Sequence, residues 1–206
     1  MILNEHYWYF ESVIPEKTCD DIVKYCLQMN DVKGITGNKI DKPYTKKELK
    51  NIQKLRDSNV VFIDEPWLYN QIFPFLRAAN KNAKWNFELN WTEALQFTKY
   101  KKGQYYGWHV DQSDHPYTNR PPQMNGKIRK LSSSLILSDE KDYKGGELEF
   151  AFFSHPDRKK TYTQVCNIRK KGSIIVFPSF IWHRVKPVTK GKRYSLVSWS
   201  LGYPYR

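Results

Sequence analysis

The chain has 206 residues, of which 40% are hydrophobic and 16% aromatic. So many large rings exclude a disordered chain, the length leaves little room for two full domains, and no run approaches the ~18 apolar residues of a membrane span. The net charge of +13, from 34 Lys and Arg against 21 Asp and Glu, favours an anionic partner (nucleic acid, an acidic protein surface or a small dianion) or marks a solvated lysine-rich surface. The excess is uneven, because residues 1–30 hold two lysines, Lys17 and Lys24, against the five acids Glu5, Glu11, Glu16, Asp20 and Asp21. Met1 to His6 shows neither the basic nor the apolar segment of a secretory signal. Three sparse cysteines, Cys19, Cys26 and Cys166, suggest reduced thiols. A cytoplasmic protein is therefore expected.

In chain order, Pro15 to Met29 reads as a helix. Proline suits its first turn, and Cys19, Ile22, Val23, Cys26 and Leu27 recur at the spacing of one apolar stripe. That stripe makes Cys19 and Cys26 core residues rather than metal ligands. Residues 31–59 are polar and basic, with a short helix expected near Lys46–Leu55. Pro66 to Asn80 reads as a further helix with Trp67, Leu68, Ile72 and Phe75 as its buried face and Pro74 as a candidate bend. After about residue 90 the texture changes to short β-rich runs: Ala94–Tyr100, Tyr105–Val110, Leu131–Leu137, Glu147–Phe152, Gln164–Ile168, Ser173–Phe177, His183–Val185 and Arg193–Ser200. Turn signals at Gly103, Gly145-Gly146, Gly172, Pro178-Ser179 and Gly191 separate them. Such spacing predicts a mainly β fold with flanking helices, a sandwich or jelly roll. The expected organisation is a single domain over 1–206, with a helical support in 1–90 and the β core in 91–206. Gln112–Lys127 and Phe153–Tyr162 are expected as long loops, the kind of segment that carries recognition.

Among the five histidines, His109 and His155 each have an aspartate two residues later. In a strand, residues i and i+2 share a face, so an imidazole and a carboxylate so placed can bind one metal. His109-Val110-Asp111 ends a strand-like run. His155-Pro156-Asp157 reads as loop, since proline cannot join a central ladder. His183 lies on a later strand that a jelly roll returns beside the first site. It completes a two-histidine, one-carboxylate facial set, which suits non-haem Fe(II); zinc would favour a closed tetrahedron or three ligands plus one water. Arg193, Ser195, Val197 and Trp199 alternate on one strand face. If a turn at Thr189–Lys192 joins His183 to Arg193, both point into one barrel, where a guanidinium and a hydroxyl bind a carboxylate. Tyr100, on the strand before His109, can reach the same carboxylate. Trp108, Phe177 and Trp182 are candidates for an apolar wall about the metal.

The run from Tyr100 through Gly103 and Tyr105 to His109 and Asp111, then Gly145-Gly146-Glu147 and Phe150, then His183 with Arg193-Tyr194-Ser195, resembles the iron(II)/2-oxoglutarate oxygenases of the prolyl 4-hydroxylase-like group, and within it the bacterial and phage PKHD-type hydroxylases. The resemblance covers residues 91–203. More loosely, the opening helix, Arg56-Asp57-Ser58 and the Trp67 helix resemble that group's supporting helices. It implies a double-stranded β-helix core. It implies that His109, Asp111 and His183 bind Fe(II), that Arg193 pairs with the distal carboxylate of 2-oxoglutarate with help from Tyr100 and Ser195, and that Trp199 lies near the cofactor. Collagen-type members carry lysine at the Arg193 position, which places this chain with the arginine-bearing branch. The glycine pair is structural and is assigned no chemistry.

The implied activity is hydroxylation coupled to conversion of 2-oxoglutarate and O2 to succinate and CO2, with ascorbate as a candidate reductant. For the substrate, the resemblance favours a protein or peptide, prolyl first, lying between long loops. The +13 charge keeps nucleic acid as the alternative, although no base-stacking motif accompanies it. A non-enzymatic jelly-roll binding module is the third reading. The sequence leaves the oligomeric state open.

Overall fold

The amphipathic stripe of the first helix and the proline at its start do what their spacing demands. In a computed structural model that describes residues 3, 5–36, 43–153 and 161–205, β1 (Trp8–Phe10) leads into α1 (Glu16–Leu27), with Pro15 at its N-cap and Cys19, Ile22 and Cys26 buried. Leu27, expected on that stripe, is the last residue of the helix and is exposed. β2 (Val32–Lys33) precedes α2 (Lys46–Leu55). Thr45 and Glu48 close a reciprocal capping box on α2, with the Thr45 backbone N–H donating to Glu48 Oε2 at 2.8 Å, so two otherwise orphaned donors at the helix start are satisfied.

β3 (Arg56–Asp57) and β4 (Asn59–Ile63) follow; β2 and β3 lie where only loops and a short helix were expected, and β4 begins at the end of that stretch. α3 (Pro66–Asn82) continues through Pro74 and buries Leu68, Ile72, Leu76 and Ala79. Trp67 is not on that face; it is 37% exposed and packs edge-on against Tyr25 at 6.0 Å.

The rest of the chain is strand: β5 (Trp91–Thr92), β6 (Leu95–Tyr100), β7 (Tyr105–His109), β8 (Ile128–Ile136), β9 (Tyr143–Gly145), β10 (Leu148–Phe153), β11 (Thr161–Val165), β12 (Ile174–Pro178), β13 (Trp182–Val185), β14 (Val188–Gly191) and β15 (Arg193–Gly202). All eight expected strands are among them. The ends of the predicted Phe153–Tyr162 loop belong to β10 and β11, and its middle, residues 154–160 with His155 and Asp157, lies outside the described residues.

The strands pair antiparallel into a major sheet, ordered β1-β12-β8-β15-β6-β4-β2 with β5 on β15, and a minor sheet, ordered β11-β10-β13-β7-β3. A β14-β9 ribbon replaces the lone turn expected between His183 and Arg193. This is a jelly roll, with α1 and α3 packed on the major sheet and α2 beside β3 and β7 of the minor sheet.

The major sheet is covered on both faces, which explains why its strands read as near-continuous burial rather than clean alternation. One face of β6, β8, β12 and β15 contributes Leu95, Phe97, Leu131, Leu135, Ile174, Val176 and Leu196 to a core shared with Ile22 and Cys26 of α1 and Leu68, Ile72 and Leu76 of α3. The other face turns toward the minor sheet, where Ile136, Ile175 and Phe177 meet Leu148 and Phe150. Beyond that apolar end the inner face becomes polar: Gln96, Thr98, Ser132 and Ser195 are all buried there. Buried hydroxyls and amides cost free energy unless they find partners, so their concentration between two sheets marks the place where the fold gives up apolar packing for something else. The three cysteines are free and buried; Cys19 and Cys26 were expected in the core, and Cys166 joins them there.

Candidate active site

The triad is assembled by strand register. β13 pairs with β7 so that His183 lies directly opposite His109. Asp111 sits two residues beyond the end of β7, where its backbone N–H donates to Ser179 O at 2.9 Å. His109 Nε2 lies 3.7 Å from Asp111 Oδ1, and His183 Nε2 lies 3.5 Å from Asp111 Oδ2. One donor atom from each of the three residues falls within 4.8 Å of the others, so a single ion can touch all three.

The hydrogen bonds behind the triad aim it. His109 Nδ1 lies 2.9 Å from Gly107 O, and His183 Nδ1 lies 2.9 Å from Ile181 O. A carbonyl only accepts, so each Nδ1 donates a proton to it and each Nε2 is left turned toward Asp111. Ser132 Oγ donates to Asp111 Oδ2 at 2.8 Å and fixes the carboxylate from the opposite sheet. Phe177 meets the His183 ring edge-on at 4.6 Å, and Tyr106 stacks on His109 at 3.5 Å.

Burial and the neighbouring His183 push the His109 imidazole down to about 3. Burial alone would raise Asp111, but His183, His109, Arg129 and the Ser132 hydroxyl together hold it at about 2. Protons therefore do not compete for His109 or Asp111 near neutrality. The linkage has a definite sign. A histidine whose folded pKa is depressed is fully stabilising above its unfolded value of about 6.5, and that stability is lost as pH falls toward its folded value. We expect the metal-free protein to be less stable at pH 5 than at pH 7.5 by about 2 kcal/mol from His109 alone, read as the change in urea midpoint in the presence of a chelator; a His109→Gln protein should lack that part of the slope.

The cavity next to the triad is lined from the major sheet by Gln96, Thr98 and Tyr100 of β6 and by Arg193, Ser195, Val197 and Trp199 of β15, as the alternation of both strands predicts. Arg193 and Tyr100 are register partners. Arg193 is 3% exposed, its Nη1 donates to Ser195 Oγ at 3.1 Å, and its Cζ lies 5.6 Å from the Tyr100 ring centroid. It has no ion-pair partner among the described residues. Gly146 makes room for it: a Cβ there would lie 2.9 Å from Arg193 Cδ. The glycine pair thus has a structural role that bears directly on the pocket.

Trp199 Nε1 is buried without a hydrogen-bond partner among the described residues. Its indole is held by Arg129, whose Cζ lies 4.0 Å from the ring and whose charge is neutralised by a bidentate pair with Glu93 at 2.6 Å for both contacts.

One expectation fails here, and two lining residues were not anticipated. Trp108 and Trp182 do not line the cavity. Each precedes a triad histidine by one residue and so faces the other side of its strand; Trp182 is 40% exposed and Trp108 lies under Arg184 at 4.6 Å. Tyr106 does line it, although it stands three positions before His109, an odd offset along a strand. The ladder runs His183 opposite His109 but Val185 opposite Tyr106, so β7 carries one extra residue. This bulge returns Tyr106 to the histidine's face. Arg56 of β3 also enters the cavity, from a segment read only as support.

The donor set fits Fe(II): two imidazoles and one carboxylate on one side leave the remaining positions open. The pocket fits a dicarboxylate, since an unpaired buried guanidinium and an orphaned indole N–H both need an oxygen acceptor. The family model of the 2OG-Fe(II) oxygenase superfamily matches residues 95–201. A PKHD-type hydroxylase of Pseudoalteromonas atlantica is 35% identical over 105 residues, covering 50% of this chain and 41% of that protein; the match thus spans about two-fifths of the length of such curated relatives. In fold, the chain is similar to the viral collagen prolyl hydroxylase of Paramecium bursaria Chlorella virus-1 solved with 2-oxoglutarate (TM-score 0.63, 19% identity, 97% of each chain covered). It is also similar to a Trichoplax adhaerens prolyl hydroxylase in complex with a hypoxia inducible factor peptide fragment (TM-score 0.62, 14% identity, 96% and 84% covered). The jelly roll, the metal-ready triad and the matched core agree: the chain belongs to the 2OG-Fe(II) oxygenase superfamily, whose chemistry uses Fe(II), 2-oxoglutarate and O2.

Proposed function

We propose that this chain is an Fe(II)/2-oxoglutarate-dependent hydroxylase acting on a protein or peptide residue, with proline as the first candidate. The observation that carries the reading is the coexistence, in one cavity, of the triad and a buried guanidinium with no acidic partner among the described residues. His109, Asp111 and His183 hold the iron. Arg193, braced by Ser195 and Tyr100, receives the distal carboxylate of 2-oxoglutarate, and Trp199 offers its indole N–H beside it. Bound there, the iron, 2-oxoglutarate and O2 supply the oxidising power that replaces a substrate C–H by C–OH, yielding succinate and CO2. Phe177, Tyr106 and Leu148 exclude water from the reacting centre. Ascorbate would serve as an external reductant that keeps the iron ferrous. The free thiols suit a reducing compartment such as the cytoplasm, and no helix among the described residues is long and apolar enough to cross a membrane.

The fold likeness to a prolyl hydroxylase solved with a peptide supports a peptide substrate. The +13 charge supports the second reading, a nucleic-acid substrate. Succinate release separates them. Proline-containing peptides should stimulate it above the substrate-free rate and gain one oxygen by mass spectrometry, while oligonucleotides should leave it unchanged. Stimulation by oligonucleotides alone would transfer the assignment to the second reading.

A further inference from the structure

Arg56 is 5% exposed, yet its Nη2 has no hydrogen-bond partner among the described residues. The rest of its guanidinium is tightly placed. Nε donates to Ser58 Oγ at 2.9 Å, and Cζ lies 4.6 Å from the Tyr106 ring. Gly34 covers it so closely that a Cβ at that position would lie 2.6 Å from Arg56 Nε and 2.5 Å from Ser58 Oγ. The neighbouring acid does not reach it: Asp57 is taken by Lys33 Nζ at 2.8 Å and Gln104 Nε2 at 2.9 Å. The chain therefore brings a cation into the triad's cavity, locks it there and leaves one of its donors unpaired. A buried, unmatched charge is costly to keep, and a buried orphan donor calls for a partner.

Charge counting says what that partner is. The charged side chains lining the cavity are Asp111, Arg56 and Arg193. The dication and the 2-oxoglutarate dianion cancel each other. Arg193 receives the distal carboxylate, so one positive charge, that of Arg56, stays unmatched when both are bound. We propose that Arg56 is a carboxylate receptor for the primary substrate, which therefore carries an acidic group near the carbon that is oxidised. The inference rests on the cofactor reading above and narrows its substrate class. The carboxylate has two sources, a free chain terminus (or single amino acid) and an acidic side chain beside the target residue.

The test uses the full chain loaded anaerobically with Fe(II) and 2-oxoglutarate, whose chelation gives a visible charge-transfer band. Two matched pairs of probes are titrated against that band: N-acetylproline against its amide, and acetyl-Pro-Asp-amide against acetyl-Pro-Asn-amide. In at least one pair the acid should bind about tenfold or more tightly than its neutral twin, a margin suited to a desolvated charge-assisted contact. The pair that shows the margin identifies the source. Arg56→Gln should collapse the margin toward one while leaving the 2-oxoglutarate titration within about threefold of wild type. Equal binding of acid and amide in both pairs, or no binding of either acid, overturns the proposal in the wild-type protein alone, whether or not the variant folds. A margin that survives in folded Arg56→Gln overturns it as well, and a loss of 2-oxoglutarate affinity there would make Arg56 a cofactor residue instead. Absence of the band before any probe is added removes the cofactor reading itself, and this inference with it.

Discussion

Asp111→Ala is expected to abolish turnover, lowering it by at least ~10³-fold, because on the proposed reading it removes the one carboxylate of the iron-binding triad and several kcal/mol of metal binding and charge stabilisation with it. The geometry makes the effect hard to rescue. Both triad imidazoles face this one carboxylate, at 3.7 and 3.5 Å, and Ser132 fixes its orientation from the other sheet. Asp111→Asn separates ligation from folding. It preserves the shape and an acceptor for the Ser132 hydroxyl but not the charge, so the fold should persist while Fe(II) affinity falls steeply. An aspartate that served only to pack the two sheets would give the opposite result, with loss of thermal stability and metal binding in step. Equilibrium Fe(II) or Co(II) binding, measured beside a thermal melt of each variant, decides between them.

Arg193→Ala should leave the triad able to bind iron but weaken 2-oxoglutarate by about 100-fold or more, the scale of losing a desolvated, charge-assisted carboxylate contact of about 3 kcal/mol. The cofactor-free protein should respond differently. Its guanidinium is buried, with Ser195 its only hydrogen-bond partner among the described residues, and removing an unpaired buried charge relieves a penalty, so the melt should shift little or rise. Opposite signs for ligand affinity and apoprotein stability are the mark of a binding arginine; a structural one loses both. Arg193→Lys should fall between, since it retains the charge but not the planar fork. The check is a 2-oxoglutarate titration of the iron-loaded variants, with apoprotein melts alongside.

Much of this was legible in the residues. The eight core strands announced themselves through turn residues and β-rich runs, and two-residue periodicity on β6 and β15 put Tyr100, Arg193, Ser195 and Trp199 on one face, where the cavity has them. His109 and Asp111 showed as a strand-end pair, and antiparallel return placed His183 opposite. What escaped did so for physical reasons. β4 is covered over most of its length, with only Phe62 exposed, so it lacks an alternating signature, and it follows a polar segment that reads as coil. The bulge in β7 breaks the period that would have flagged Tyr106. Arg56 comes from a two-residue strand outside the core, and no local pattern shows that a distant arginine will be carried into the pocket. Trp67, Trp108 and Trp182 show the reverse error: a large ring beside a buried position is easily assigned to the wrong face, and only packing against Tyr25 or Arg184 reveals where it goes.

The most direct measurement is optical and anaerobic. Fe(II) and then 2-oxoglutarate are added to the purified chain, and the visible charge-transfer band of an iron-chelated keto acid is recorded with Asp111→Ala and Arg193→Ala beside it. The wild type should develop the band and saturate, Asp111→Ala should show none, and Arg193→Ala should show it only at about 100-fold higher 2-oxoglutarate. A folded wild-type protein that shows no band at saturating iron and 2-oxoglutarate would contradict the assignment of the triad and its pocket.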